Sequence, residues 1–266
     1  MVKLNLLITG ASSGIGRATA LYFSRLGHRV FSLDITPTDQ EENLTSFVLD
    51  VTDEVSIERV KTEILNTGVL FDAIISVAGI HTMASLVEAD YSKIKRVIDV
   101  NLSGAMLITR AFHPLLKKDG RVVIVTSEVA TYSPLPFNGL YNVSKVALDS
   151  YAEALRQELN LIGQKVITIR PGAVQTPLEA SSAASTESLA KNTVLYEKQA
   201  KYFVGLVKKF TGKPLPPEKI AALIYKAVTK KHPRTAYSKN RHLGLMLLSI
   251  LPHSLQCRIV KLLLNR

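Results

Sequence analysis

The stretch "KLNLLITGASSGIGRATALYF", residues 3–23, limits the fold more than any other part of the chain. A short apolar run enters a turn containing Gly10, Gly14 and Gly16, and an amphipathic helical pattern follows at once. Glycine lets a backbone turn sharply and approach another group closely, and the first N–H groups of a helix are free to meet an anion. Glycines also serve ordinary turns, so the pattern alone is weak. Here it lies between a strand and a helix, and Asp34 ends the next apolar run, "HRVFSLD", about 20 residues on. That order is the one in which a parallel α/β sheet cradles a dinucleotide pyrophosphate.

The rest of the chain keeps the same alternation. Strands are predicted at 3–9, 28–34, 45–50, 72–78, 121–127 and 165–170. Helices are predicted near 14–26, 53–66, 90–118, 141–162 and 217–231, the last entered through the Pro-rich turn "KPLPPEK". Near-continuous apolar strands between amphipathic helices indicate a parallel sheet buried on both faces. The expected fold is α/β, a single doubly wound Rossmann-type sheet, with ligands beyond the carboxyl ends of its strands. With 266 residues there is room for one large domain. We assign 1–240 to a nucleotide-binding catalytic domain and 241–266 to a basic amphipathic extension of it. The Ser/Ala/Thr run at 180–188 is read as a loop.

Composition narrows the class further. A hydrophobic content of 47% excludes a disordered chain. The single Cys257 cannot form an internal disulfide, which suits a reducing compartment. The first residues carry too short an apolar run for a signal peptide, and no apolar run approaches the roughly 20 residues that span a bilayer. The expected location is cytoplasmic, or peripheral on a membrane surface. The net charge of +11 is concentrated at one end: residues 201–266 hold 14 basic residues against one acid, Glu218. Such an end attracts acidic lipid, nucleic acid or an acidic partner, or is simply a solvated surface. No nucleic-acid reader motif accompanies it, so nucleic acid is not an expected partner. No metal site is assigned.

At the nucleotide end, Gly10, Ser12, Ser13, Gly14, Ile15 and Gly16 form the expected phosphate cradle. Asp34 can accept hydrogen bonds from a ribose 2′-OH and repels a 2′-phosphate, so NAD(H) is the preferred cofactor. Neither Ile35 nor Ser13 offers a cation to a 2′-phosphate. Arg17, one residue past the turn, keeps NADP(H) open.

These residues resemble the cofactor turn of the short-chain dehydrogenase/reductase family. "LDVTD" (49–53), "SVAG" (76–79), "VNLSG" (100–104), "YNVSK" (141–145) and "RPGAVQTP" (170–177) follow in that family's order and at its approximate intervals. The resemblance covers roughly residues 4–177, with a helix and strand near 217–238 matching its end. It implies that Asp50, Val51, Ala78 and Gly79 border the adenine. It also implies that Pro171, Gly172, Val174 and Thr176 line the nicotinamide side, Thr176 holding the carboxamide. Tyr141 is the implied proton donor or acceptor, Lys145 its partner, Asn101 the holder of a water leading from Lys145, and a Ser the fourth member. Homo-oligomerisation through the helices near 90–118 and 141–162 is a further implication. Ser76 departs from the family, which has Asn there.

The chemistry of the pair is independent of any resemblance. Tyr141 and Lys145 stand four apart on a helix and so share one face. A phenol with an ordinary pKa near 10 is a poor base at neutral pH, and a nearby ammonium favours its phenolate. Lys145 can also hydrogen-bond the nicotinamide ribose. Tyr91 and Lys95 repeat the spacing, but "ADYSKIKRVIDVN" reads as an amphipathic helix with an exposed basic face. The Ser has two readings. The resemblance implies a hydroxyl about thirteen residues before the Tyr, a count that reaches Glu128, whereas Ser127 lies one residue earlier at a strand end. Either Glu128 replaces the Ser and turnover is impaired, or the loop to Tyr141 is one residue longer and Ser127 serves. The second is preferred, because loops absorb insertions and a carboxylate beside a phenolate would raise the Tyr pKa.

Substrate contacts are expected from 178–217, with "IHTMASL" (80–86) and "YSPLPF" (132–137). Met83, Leu86, Leu135, Phe137, Leu178, Tyr196, Tyr202 and Phe203 in these stretches favour an apolar alcohol or ketone: a lipid, retinoid, steroid or aliphatic carbonyl. The tail offers three readings. It can lie in a membrane interface, cover the substrate pocket or pack on a second subunit. Two functions are therefore carried forward: an NAD(H)-linked oxidoreductase, and a nucleotide-binding regulatory or scaffold protein that has lost turnover.

Overall fold

The computed structural model describes residues 2–38, 41–210 and 212–265. Seven strands form one sheet in the order β3-β2-β1-β4-β5-β6-β7, every neighbouring pair parallel. They are β1 (Asn5–Thr9), β2 (Arg29–Asp34), β3 (Leu44–Val48), β4 (Phe71–Ser76), β5 (Leu116–Val125), β6 (Lys165–Pro171) and β7 (Ala236–Lys239). Alternate residues of each strand face opposite sides. On one side Leu7, Phe31, Ile74 and Val122 pack on α2 (Glu54–Leu65), α4 (Gly104–Phe112) and α5 (Gly139–Asn160). On the other, Leu6, Val30, Ile75 and Ile167 pack on α1 (Gly14–Arg25) and α8 (Glu218–Thr229). This is the doubly wound Rossmann-type sheet expected from the alternating pattern.

Two local expectations are corrected. The helix predicted near 90–118 is broken into α3 (Tyr91–Ile98), a π-helical turn (Asp99–Ser103), α4 and a 3-10 turn (His113–Leu115), after which β5 begins. Pro114 lacks an N–H and cannot continue an α-helix, so the chain turns there and Leu116 joins the sheet opposite Phe71. The run at 180–188 is helical, within α6 (Pro177–Asn192). Thr176 caps it, Pro177 occupies its first turn, and its alanines are strong helix formers. Thr186 turns its hydroxyl back onto the Ser182 carbonyl at 2.7 Å, so the polar residues do not compete with the helix.

A third apolar cluster roofs the carboxyl ends of the strands. Phe137, Leu189, Phe203 and Leu264 join α6, α7 (Glu197–Phe210) and the C-terminal α10 (His253–Leu264), which follows α9 (Leu243–Ile250). Phe137 has φ +66°, a left-handed conformation that strains a bulky residue by about 1–2 kcal/mol. Its ring packs edge-on against Tyr196 and Phe203, at 5.5 and 5.3 Å between centroids, which offsets the strain.

Candidate active site

The strand order reverses between β1 and β4, and this opens a crevice at their carboxyl ends. Thr9 Oγ1 accepts from the N–H groups of Val77 (3.1 Å) and Ala78 (3.3 Å), drawing the two strand ends together. Gly10, with φ +66°, lies so close that a Cβ would stand 2.8 Å from Ala78 N. A Cβ on Gly16 would stand 1.9 Å from the Gly10 carbonyl oxygen. The turn is thus closed to side chains on the inside and leaves its backbone and the α1 N-terminus facing the crevice. Asp34, at the end of β2, accepts from Ser12 N at 3.0 Å and from Thr36 N at 3.2 Å, which fixes its carboxylate beside the turn. Asp50 is held by Thr52, and Val51 is buried against Gly104. Thr176, the α6 cap, reaches back to the turn: a Cβ on Gly14 would meet its Cγ2 at 3.0 Å.

A cavity of about 1170 Å³ runs through this crevice. Its walls include Gly10, Ser12, Ser13, Gly14, Ile15, Gly16, Asp34, Asp50, Val51, Ala78, Gly79, Pro171, Gly172, Val174 and Thr176, together with Ser127, Tyr141 and Lys145. A glycine cradle with no room for a Cβ, a helix N-terminus and a strand-end carboxylate fit a dinucleotide in shape and charge. Ser76, the departure from the family motif, is buried at the end of β4, and its hydroxyl has no hydrogen-bond partner among the described residues.

At the reacting end, Tyr141 and Lys145 lie on the first turns of α5, both buried. Burial pushes the Tyr141 phenol up to about 12, while a hydrogen bond with Ser127 pulls the other way. Burial alone draws the Lys145 ammonium down to about 8. Its Nζ lies 5.8 Å from the Tyr141 ring centroid and donates to the Val125 carbonyl at 3.3 Å. Asn101, in the π-helical turn, is fully buried and does not line the cavity. Its Oδ1 accepts from Ile80 N at 2.7 Å, and its Nδ2 donates to Ile80 O and Ser144 Oγ, both at 2.9 Å. A Cβ on Gly79 would come within 3.2 Å of Asn101 Oδ1 and 3.3 Å of Lys145 Nζ, so Gly79 keeps these two groups adjacent.

Ser127 and Glu128 point to different partners. The Ser127 hydroxyl meets Tyr141 and accepts from Val129 N at 3.3 Å. Glu128 accepts from the Tyr132 hydroxyl at 3.1 Å and from His242 N at 2.6 Å. Arg241 completes this group, donating to the Tyr132 oxygen at 3.1 Å with its guanidinium 5.3 Å from the ring centroid. The carboxylate therefore ties the loop after β5 to the start of the C-terminal segment. Tyr91, of the second Tyr–Lys pair, is 77% exposed, and Lys95 pairs with Asp99 at the start of the π-helical turn that follows α3.

Beyond Tyr141 the cavity becomes apolar. Of the side chains expected there, Met83, Leu135, Leu178 and Phe203 line it. Leu86 and Tyr202 are exposed, and Phe137 and Tyr196 lie behind the wall in the roof cluster. Two further contributors line it: the tail, for which covering the pocket was one of three readings, and His81, which sequence reasoning did not single out. Leu245, Leu248, Ile259 and Val260 of α9 and α10 form part of the wall. His81 lies tilted against Tyr141, with ring centroids 4.2 Å apart and an interplanar angle of 51°. Burial lowers its imidazole to about 4, and Lys145 adds to this, so it is neutral at physiological pH. Its Nε2 is 3.1 Å from Asn138 Oδ1. A lone His after a strand carries no spacing signal that would have marked it.

The profile of the short chain dehydrogenase family matches residues 5–187. A Schizosaccharomyces pombe protein named NADPH-dependent 1-acyldihydroxyacetone phosphate reductase is 36% identical over 200 residues, 71% of this chain and 67% of that protein. The 3-ketodihydrosphingosine reductase of Bacteroides thetaiotaomicron is 28% identical over 232 residues, 86% of this chain and 84% of that protein. Among solved structures, a short chain dehydrogenase family protein from Francisella tularensis superposes with a TM-score of 0.74 at 27% identity, covering 89% of this chain and 97% of that one. The ordered motifs, the glycine cradle and these similarities agree: the chain belongs to the short-chain dehydrogenase family of NAD(P)-linked oxidoreductases.

Proposed function

We propose that this protein interconverts an apolar, lipid-like alcohol and its carbonyl partner, with NAD(H) as the preferred cofactor. The observation that carries the reading is one continuous cavity in which Ser127, Tyr141 and Lys145 lie between the glycine cradle and an apolar chamber. Gly10, Ser12 to Gly16, Asp34, Asp50, Val51, Ala78, Gly79 and the 171–176 loop hold the cofactor, whose nicotinamide supplies or takes the hydride when bound. Tyr141 gives its phenolic proton to the carbonyl oxygen in reduction and takes the hydroxyl proton in oxidation. Ser127 holds that oxygen and donates to it. Lys145, adjacent to Asn101 and Gly79, stabilises the phenolate that remains. His81, neutral and tilted against the ring, excludes water from one side of the phenol.

Asp34 supports NAD(H), since its fixed carboxylate repels a 2′-phosphate. The yeast relative is named for NADPH, so the two cofactors are best compared directly. The chamber's few fixed charges support a lipid-like substrate, as do the names of both relatives. Met106, Val143 and Val146, exposed on α4 and α5, support pairing of two copies there. The test measures reduced-cofactor absorbance with a panel of apolar ketones and alcohols, with NADH and NADPH, for wild type and Asp34→Ala. Turnover faster with NADH, and lost preference in Asp34→Ala, is expected. Tight cofactor binding without turnover on any member would overturn the catalytic reading in favour of a nucleotide-binding scaffold.

A further inference from the structure

We infer that α9 and α10 dock this protein on an anionic lipid surface. Each helix has two unlike faces. Inward, Leu245 and Leu248 of α9 and Ile259 and Val260 of α10 line the apolar chamber. Outward, Leu243, Leu247 and Ile250 recur at the spacing of one helical face and are 67%, 58% and 77% exposed. On α10, Leu255 and Leu262 are 40% and 70% exposed, with Arg258 beside them on the same face and Lys261 next to it, both exposed. No residue of α9 is buried. Large aliphatic side chains bared on two consecutive helices need an apolar medium, not water.

Charge selects the occupant. Residues 241–266 carry four basic residues and no acid, and Arg258 and Lys261 stand exposed on α10. A second copy of this chain seated on the same face would oppose like charges. Anionic headgroups complement them, while the leucines enter the headgroup–acyl boundary. No described helix is long and apolar enough to cross a membrane, so the contact lies on one leaflet. Because the same two helices wall the chamber, docking brings the chamber to the bilayer. That last step rests on the lipid-substrate reading above; the docking itself does not.

The segment is held to the catalytic half by named contacts. Glu128 accepts from His242 N, and Ser133 N donates to Ser249 Oγ at 3.1 Å. The experiment floats the full-length protein with vesicles of phosphatidylcholine alone, or mixed with phosphatidylglycerol. Wild type is compared with Ile250→Glu/Leu262→Glu and with Arg258→Glu/Lys261→Glu; none of these four side chains lines the cavity. Wild type should float with the mixed vesicles and not with the neutral ones, and each double variant should lose at least tenfold of the bound fraction. Circular dichroism and turnover of a water-soluble short-chain ketone report folding and the site separately. If wild type ignores mixed vesicles, or the variants bind as well as it does, docking is wrong whatever the turnover. If the wild-type chain instead dimerises and both variants are monomeric, the face binds a second copy and the proposal falls. Absent turnover across the whole panel of apolar ketones and alcohols, with intact flotation, removes the catalytic reading and leaves docking standing.

Discussion

Replacing Lys145 with Met should make the protein more stable and nearly inactive. Burial draws the ammonium from its usual 10.5 to about 8, so below pH 8 the folded chain holds a charge that the unfolded chain accommodates more easily. That gap corresponds to roughly 3 kcal/mol. Methionine is similar in length and apolar, but it leaves the Val125 carbonyl without this donor, a loss of about 1–3 kcal/mol. The net gain at pH 7 is about 1 kcal/mol, or a rise in Tm of about 2–4 °C. The sign depends on pH. Between about pH 8 and 10.5 the unfolded chain keeps a proton that the folded one has shed, so wild-type stability rises through that window. The advantage of Lys145→Met should therefore vanish at about pH 9 and become a deficit of about 1 kcal/mol at pH 10. Turnover falls for a separate reason. A charge 5.8 Å from the Tyr141 ring stabilises its phenolate by about 3 kcal/mol at an effective dielectric near 20, about 100-fold in rate. Urea melts at pH 7 and pH 10, beside cofactor-linked turnover, measure both effects. A variant less stable than wild type by the same amount at both pH values, or one with turnover within threefold of wild type, would refute the argument.

Other expectations can be tested alongside. Gly16→Ala would place a Cβ 1.9 Å from the Gly10 carbonyl, so cofactor affinity should fall at least 100-fold by fluorescence titration while β1 and α1 persist in hydrogen exchange. Ser127→Ala should lower kcat by about 100-fold, since it removes a group on the substrate oxygen. Glu128→Ala should leave kcat within a few-fold but free the Arg241–His242 segment, seen as faster proteolysis there. As His81 titrates near 4, the kcat profile should show no limb from its protonation between pH 5 and 8.

The parts legible in the sequence were those fixed by periodicity or by glycine. Runs such as "LNLLIT" and "RVVIV" face helices on both sides, so near-continuous apolarity identifies them as central parallel strands. Gly10 and Gly16 were legible because backbone crowds their missing side chains. Tyr141 and Lys145 were told from Tyr91 and Lys95 by position after β5, and in space one pair is buried and Tyr91 is exposed. What stayed hidden was tertiary. A composition rich in Ser and Ala at 180–188 suggests a loop until a Thr cap and a Pro start the helix. A residue count alone left Ser127 and Glu128 both open to meet Tyr141; the strand-end position and the charge argument favoured Ser127. Which of its three readings the tail follows was not legible, since an all-round apolar helix looks the same whether it meets a pocket, a partner or a lipid.

The central claim is hydride exchange at Tyr141 between a nicotinamide and an apolar carbonyl. It is tested most directly by supplying NADH deuterated at the transferable C4 position, with an apolar ketone that wild type turns over. Mass spectrometry of the alcohol should find one deuterium on the carbinol carbon with wild type and no product with Tyr141→Phe, which still binds cofactor. Undeuterated alcohol from wild type, or equal deuterated product from Tyr141→Phe, would contradict the account.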